Sequence, residues 1–329
     1  MYLNSGGIMR CAFSVFVFIP LAAVSQVTVQ EYPVPSGHGV HDVWADASPG
    51  GPVWISAQGS GNLGILDPKT GRIEFVPLGP GSSPHGVIAG PDGAVWLTDG
   101  GQNAIVRVDP RIEPKTRAVK LWKLPENSGY TNLNTAIFDA KGIHWFTGQS
   151  GIYGRLDPRT GAMKVFDAPK GRGPYGIHAT PDGTVYYASL AGSYVGKIDS
   201  RTDKTIVIEP PTRRQGARRV WSDSKGDIWV AEWNSGNLSR YEPKTGKWSA
   251  WQAPGDDPHV YAVYVDETDK VWVAEWSAQA MLRFDPATAK WETFRSSSSR
   301  PNVRQIHGRK GEIWTPESGA DKIVVYRFK

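Results

Sequence analysis

The sequence predicts an all-β fold: a seven-bladed β-propeller of four-stranded antiparallel blades, closed into a ring by its own N-terminal strand. Three observations predict it. A unit of short apolar runs separated by turn residues recurs from Gly39 to the end, with its cleanest copy at residues 84–110. Seven aromatic anchors, Trp54, Trp96, Trp145, Tyr186, Trp229, Trp272 and Trp314, mark the copies at spacings in the forties, the period of a four-stranded blade. The strand count is also offset by one: the seventh copy lacks a last strand, while the chain has a spare one near its start.

Taken in order, residues 1–25 stand apart. Arg10 precedes the run Cys11-Ala12-Phe13-Ser14-Val15-Phe16-Val17-Phe18-Ile19-Pro20-Leu21, which is too short to span a bilayer. Ala23-Val24-Ser25 then places small residues at the two positions a signal peptidase reads. The reading is a secretory signal cut before Gln26, with Met9 as an alternative start. Residues 26–329 are then the mature domain, periplasmic or secreted and not inserted in a membrane. Cys11 is the sole cysteine, so the mature chain enters an oxidising compartment without disulfides or thiol chemistry. The spare strand follows as Val27-Thr28-Val29-Gln30-Glu31-Tyr32-Pro33. Pairing it with the last blade removes the open edge that an unclosed array would expose.

Within the cleanest copy, His85-Gly86-Val87-Ile88-Ala89 is an apolar run with β-branched members, and Pro91-Asp92-Gly93 turns the chain. A second run is centred on Trp96, Asp99-Gly100-Gly101 breaks it, and a third runs over 105–108. Asp-Gly between two such runs is a strong hairpin signal. Third strands end on words such as Asp67-Pro68-Lys69-Thr70-Gly71, in which proline presets a turn and glycine supplies a left-handed residue. Blade two stretches this turn over 109–116. Six outer strands follow the third strands, and the N-terminal strand makes the seventh. No linker divides the repeats, so one domain is expected.

The charge balance, 37 Lys and Arg against 32 Asp and Glu, invites a nucleic-acid reading. Many of these charges sit singly in turns, the pattern of a solvated face, so no nucleic-acid partner is expected. No glycine-rich phosphate loop precedes a helix, and no His/Cys zinc spacing is present. Ser222-Asp223-Ser224-Lys225 and Lys244-Thr245-Gly246 imitate penicillin-binding words but fall in turns, where that chemistry does not work. The chain is expected to act as a monomer.

The strand order fixes which residues can meet. The residue opening each first strand and the residue three beyond each anchor lie on one face near the central channel. The first set is His41, His85, Asn134, Tyr175, Arg218, Tyr261 and Arg304; the second is Ala57, Asp99, Gly148, Ser189, Glu232, Glu275 and Glu317. A blade needs no histidine, arginine or tyrosine at these positions for its core, so variation concentrated here marks a binding face on a scaffold. Arginine forks suit a carboxylate or phosphate. Converging carboxylates, Glu275 and Glu317 foremost, suit Mg2+ or Ca2+. His85 beside Asp99 reads as a base with its orienting partner. His41, Asn134, Tyr175, Arg218, Tyr261 and Arg304 read as ligand contacts. Against all of these stands a plain alternative, in which Arg218, Arg304, Glu232 and Glu275 neutralise one another across the channel.

The repeat resembles the streptogramin lyases, the virginiamycin B lyase family. The resemblance rests on Pro84-His85-Gly86-Val87, Asp92-Gly93-Ala94-Val95-Trp96-Leu97-Thr98, Trp145-Phe146-Thr147 and Tyr153-Gly154-Arg155-Leu156-Asp157-Pro158, and it extends over residues 27–329. It implies a seven-bladed propeller that opens a cyclic depsipeptide lactone by elimination, with a last-blade histidine as base and two glutamates holding Mg2+. In this chain the base position falls on Arg304 and the first metal glutamate on Asn302. The preceding substrate histidine falls on Tyr261, and Glu317 alone matches a metal ligand. An arginine stays protonated near neutral pH and cannot serve as a base.

Three function classes therefore stay open. One is a propeller binding a small anionic, cyclic-ester or peptide ligand at the channel mouth. Another is an active carbon–oxygen lyase on a cyclic ester. The third is a metal-dependent lactone hydrolase of the gluconolactonase type, with Asn134, Asp99 and Glu275 as ligands.

Overall fold

The computed structural model of the chain describes Met1 and residues 27–112 and 119–328. The expected leader at 1–25 lies outside the described residues apart from Met1, as does the second half of the extended turn, residues 113–116. Seven four-stranded antiparallel sheets make the ring, as expected. Their inner strands are Val40–Ala45, Pro84–Ala89, Leu133–Phe138, Pro174–Ala179, Ala217–Ser222, Val260–Val265 and His307–Arg309. The last sheet takes its outer strand from the other end of the chain: Thr28–Pro33 pairs antiparallel with Lys322–Arg327. Tyr32 stacks on Trp314 at 5.6 Å and donates its hydroxyl to the carbonyl oxygen of Pro68, so the closing strand also grips blade 1. No helix among the described residues is long and apolar enough to cross a membrane.

The anchor aromatics explain the turn words around them. The indole N–H of Trp96 donates to Asp92, that of Trp145 to Asp139, that of Trp229 to Asp223 and that of Trp272 to Asp266, over 2.8–3.1 Å. A buried indole needs such a partner, and the hairpin carboxylate four or six residues upstream supplies it. An arginine from the third strand covers the ring: Arg240 lies 5.5 Å from the Trp229 centroid and Arg283 5.3 Å from that of Trp272. Sequence, turn and core are thus tied together in each such blade, and the four tryptophans at 96, 229, 272 and 314 are at most 1% exposed.

One feature common to the inner strands positions the site. In blade 1, Val40 pairs with Ala57, but the next pairing is Val43 with Ile55, so one extra residue is taken up as a bulge. The same shift follows Pro84, Leu133, Pro174, Ala217 and Val260. Blade 7 stretches it further: Val303 bridges Glu317, and regular pairing resumes only at His307 with Trp314. The expectation that Arg304 opens a regular first strand is therefore corrected; it sits in an irregular stretch between a bridge and a three-residue strand. A bulge re-aims the side chain it contains, and here the bulged residues are the seven predicted channel positions.

Candidate functional site

Hydroxyls of the second strands fix the bulges on one side of the ring. The Asp42 N–H donates to Ser56 Oγ (2.8 Å), and Ser56 donates to the carbonyl of His85 (2.5 Å). In the next blade the Gly86 N–H donates to Thr98 (2.9 Å), which donates to the carbonyl of Asn134. Thr147 repeats the pattern, accepting from the Thr135 N–H and donating to the carbonyl of Tyr175. Gly86 and Gly176 follow His85 and Tyr175 because the neighbouring strand passes so close: a Cβ would lie 2.8 Å from the Asn134 carbonyl oxygen and 2.7 Å from the Arg219 Cα.

The first predicted set does converge. His41 and His85 have ring centroids 3.9 Å apart, and Asn134 Nδ2 donates to His85 Nε2 at 3.1 Å. Tyr175 and Tyr261 share a 2.5 Å hydroxyl contact. Arg218 lies 3.6 Å above the Tyr261 ring, 4.5 Å from Trp233 and 4.9 Å from Tyr175. Tyr261 stacks on Trp276 at 4.8 Å, and Arg304 lies 5.2 Å from the Trp276 ring. Both guanidiniums are half-buried at the mouth. Burial would raise the Tyr261 phenol, but the charges of Arg218, Arg219 and Arg304 outweigh it and hold it below its ordinary value. Burial pushes Tyr175 up to about 12, and its hydroxyl also accepts from Arg218 Nη2 at 3.3 Å.

The second predicted set does not converge with it. Asp99 accepts from the Ser82 hydroxyl (2.5 Å), the Ser83 N–H (2.9 Å) and the Gln102 N–H (3.0 Å). Glu275 accepts from the backbone N–H groups of His259 (2.7 Å), Ser277 (2.9 Å) and Ala278. Glu317 takes the hydroxyls of Ser296 and Ser298, both at 2.6 Å, and Glu232 takes that of Ser235. These carboxylates hold loops. The pairing of His85 with Asp99 and the convergence of Glu275 with Glu317 are thus not what the hydrogen bonds build. The physical reason is the bulge: the register across the two strands is as expected, but the extra residue sends the two side chains in different directions. Nor do Arg218 and Arg304 neutralise Glu232 and Glu275. No ion pair forms on either guanidinium among the described residues.

Residues directly after four of the channel positions build a floor; Arg219, which the sequence offers as one more cation of the mouth, is its centre. Arg219, 5% exposed, donates from Nη2 to Asp42 Oδ1 and Oδ2 (3.0 and 3.2 Å), from Nη1 to Thr135 (2.9 Å) and from Nε to the carbonyl of Arg304 (3.2 Å). One side chain of blade 5 thereby grips blades 1, 3 and 7. Asp42 in turn accepts from His41 Nδ1 at 2.9 Å. Burial alone would raise the Asp42 carboxyl, but the Arg219 guanidinium brings it down to about 2. Beneath lies a cavity of about 20 Å3 lined in part by Asp42, Thr135, Arg219 and Gln305, room for about one water. The available signal was adjacency: Asp42, Thr135, Arg219 and Gln305 each follow a channel residue directly.

The polarity of this floor follows from Arg219, which can only donate. Arg219 donates to Thr135, so Thr135 spends its proton on Asn134 Oδ1 (2.6 Å), and Asn134 Nδ2 points at His85 Nε2. His85 must then carry its proton on Nδ1, a nitrogen sealed from solvent and without a partner. Burial holds His85 well below the usual histidine range. His41 presents the opposite face: Nδ1–H is spent on Asp42, leaving Nε2 as a bare acceptor. Burial holds His41 below its ordinary value despite Asp42, with Arg219 and Arg304 adding to the effect. His144 and His307 serve the packing of the blades. His144 is fully buried among Trp96, Phe138 and Phe146, and His307 stacks on Trp44 at 3.7 Å while its Nδ1 accepts the Ala45 N–H.

The sequence model of a family described as the virginiamycin B lyase family matches residues 22–283. Among solved structures, a streptogramin B lyase superposes with a TM-score of 0.82 at 20% identity, covering 92% of this chain and 98% of that one. Virginiamycin B lyase from Staphylococcus aureus gives 0.81 at 20% identity, covering 92% and 99%. A catalytically inactive histidine-to-alanine form of the Staphylococcus aureus enzyme with quinupristin gives 0.82 at 19%, covering 92% and 99%. No curated protein sequence matches.

Proposed function

The chain belongs to the virginiamycin B lyase family, and from that premise we propose that it is an exported propeller whose channel mouth binds a small anionic ligand. The observation that carries this reading is the pair of half-buried guanidiniums, Arg218 and Arg304, stacked on Tyr261 and Trp276 with no carboxylate partner among the described residues. Aromatic faces hold the two forks in place; Arg218 gives Nη2 to the Tyr175 hydroxyl (3.3 Å) and its Nε is sealed, so Nη1 of Arg218 and the fork of Arg304 are the donors left for a ligand among the described residues. Half-buried Trp233 and Trp276 supply an apolar wall beside them.

Mg2+ or Ca2+ does not fit this mouth. The one carboxylate matching a family metal position, Glu317, has an oxygen on each of two serine hydroxyls, and Arg304 occupies the neighbouring position. His41, Asp42 and His85 do lie within 4.8 Å of one another by their ligand atoms. Yet the floor's polarity leaves only His41 Nε2 with a free lone pair, and Asp42 already holds Arg219. A divalent ion there would also face the charges of Arg219 and Arg304. The same facts weigh against the family's elimination chemistry, since the base position carries an arginine and His85 is sealed.

The reading is tested by calorimetric titration of the mature protein with a panel of carboxylates and their neutral amides. Carboxylates should bind in preference to amides, and Arg218→Gln or Arg304→Gln should each weaken binding about 10- to 100-fold, the worth of a charge-assisted hydrogen bond. Equal affinity for acids and amides, or indifference to both substitutions, would overturn it.

A further inference from the structure

Resting on the anion reading above, we infer that the ligand is a hydroxycarboxylate: its carboxylate meets the guanidiniums of Arg218 and Arg304, and its hydroxyl donates to His41 Nε2. The inference comes from hydrogen-bond accounting at the mouth. Arg218 and Arg304 offer only donors, and Tyr175 and Tyr261 are occupied with each other. His41 is the exception. Its Nδ1 is committed to Asp42, whose own geometry is fixed by two contacts from Arg219. The imidazole is therefore locked in the tautomer that bares Nε2.

That nitrogen differs from its neighbour on His85. Nδ1 of His85 is both unpartnered and sealed, whereas His41 Nε2 has no hydrogen-bond partner among the described residues and is not sealed. Blade 1 follows blade 7 around the ring: Gln305, next to Arg304, accepts the Val43 N–H (3.0 Å), and Arg219 donates both to the Arg304 carbonyl (3.2 Å) and to Asp42 (3.0 Å), the residue after His41. An anion seated on Arg304 thus has the His41 acceptor beside it.

A carboxylate alone would set an oxygen lone pair against the lone pair of Nε2. Protonating His41 to relieve this would add a third cation beside Arg219 and Arg304, in a site whose burial already opposes charge on the ring. A ligand hydroxyl resolves the conflict by donating to Nε2 while the carboxylate accepts from the arginines. Buried polar groups discriminate strongly against analogues that leave them unpaired.

The test compares 3-phenyllactate with 3-phenylpropanoate, which lacks only the hydroxyl, by calorimetry on the mature protein near neutral pH. Phenyllactate should bind about 10-fold more tightly. His41→Phe should bring that ratio close to one, and Arg304→Gln should weaken both ligands. The 15N signal of His41 Nε2 in the unaltered protein should move with phenyllactate and stay with phenylpropanoate, so the inference stands or falls even where His41→Phe does not fold. A ratio near one, with Arg304→Gln still weakening both ligands, overturns the hydroxyl inference alone. If neither ligand binds at millimolar concentration, or both ignore Arg304→Gln, the anion reading fails and takes this one with it.

Discussion

Replacing Asp42 by Asn removes one charge and almost no volume from the centre of the ring, and it should cost the fold heavily. Asp42 is 1% exposed and Arg219 5%, so the substitution leaves a buried guanidinium with neutral partners only: one amide oxygen, Thr135 and the Arg304 carbonyl. Breaking a buried pair in this way costs about 3–5 kcal/mol. The carboxyl's own acidity gives a second figure. Holding it at about 2 instead of the ordinary 3.8 corresponds to about 2 kcal/mol at roughly 1.4 kcal/mol per unit. The two figures agree in scale. Because the folded value is the lower one, this contribution is complete above about pH 4 and disappears as pH falls through about 2. Urea unfolding followed by tryptophan fluorescence at pH 7 should show D42N less stable by about 3 kcal/mol, and the gap to the unaltered protein should close on acidification. The pair D42N and R219M together should recover part of the loss, since the second change removes the stranded charge. A D42N protein within about 0.5 kcal/mol of the parent, the scatter of an ordinary surface change, would refute the view that Arg219 staples the blades.

Other expectations follow from the same contacts. His144 is fully buried with neither ring nitrogen hydrogen-bonded, and burial pushes it down to about 3; stability should fall as pH drops from about 6.5 towards 3, because only the unfolded chain takes up the proton. His144→Met should reduce that acid sensitivity and raise stability at pH 7 by about 1 kcal/mol, the penalty of an unsatisfied buried polar group; an unchanged acid profile would contradict it. Deleting residues 27–35 removes the outer strand of blade 7 and the Tyr32 contacts with Trp314 and Pro68. The truncated protein should self-associate and lose its single sharp melting transition, and a monomer with unaltered melting would show that closure is dispensable. For export, mass spectrometry of protein from cells making the full chain should find an N-terminus at Gln26 in the extracytoplasmic fraction; full-length protein confined to the cytosol would count against a cleaved leader.

The ring was legible because its signals are local and repeated. Tryptophan anchors, Asp-Gly hairpins and a missing seventh outer strand each survive without knowledge of neighbours. The site was half legible. His41, His85, Asn134, Tyr175, Arg218, Tyr261 and Arg304 were placed on the channel by counting along strands, and they do meet. The carboxylates were placed by the same count and turned away, since a single bulged residue per inner strand separates the faces of paired positions. No alternation pattern announces a bulge. Asp42 and Arg219 escaped as a pair for a different reason: their contact joins positions 42 and 219, which no sequence spacing connects.

The closing strand also sets a clock. Among the described strands Thr28–Pro33 is made first and its partner Lys322–Arg327 last. At roughly 5–20 residues per second, the opening strand waits tens of seconds before any edge exists for it to pair with. During that interval six blades can assemble in sequence, each from contiguous chain, while the two ends stay unpaired and open to misassociation. The final step cannot be hastened by better packing in any single blade. It depends on how the nascent ends are kept apart from other chains until synthesis is done.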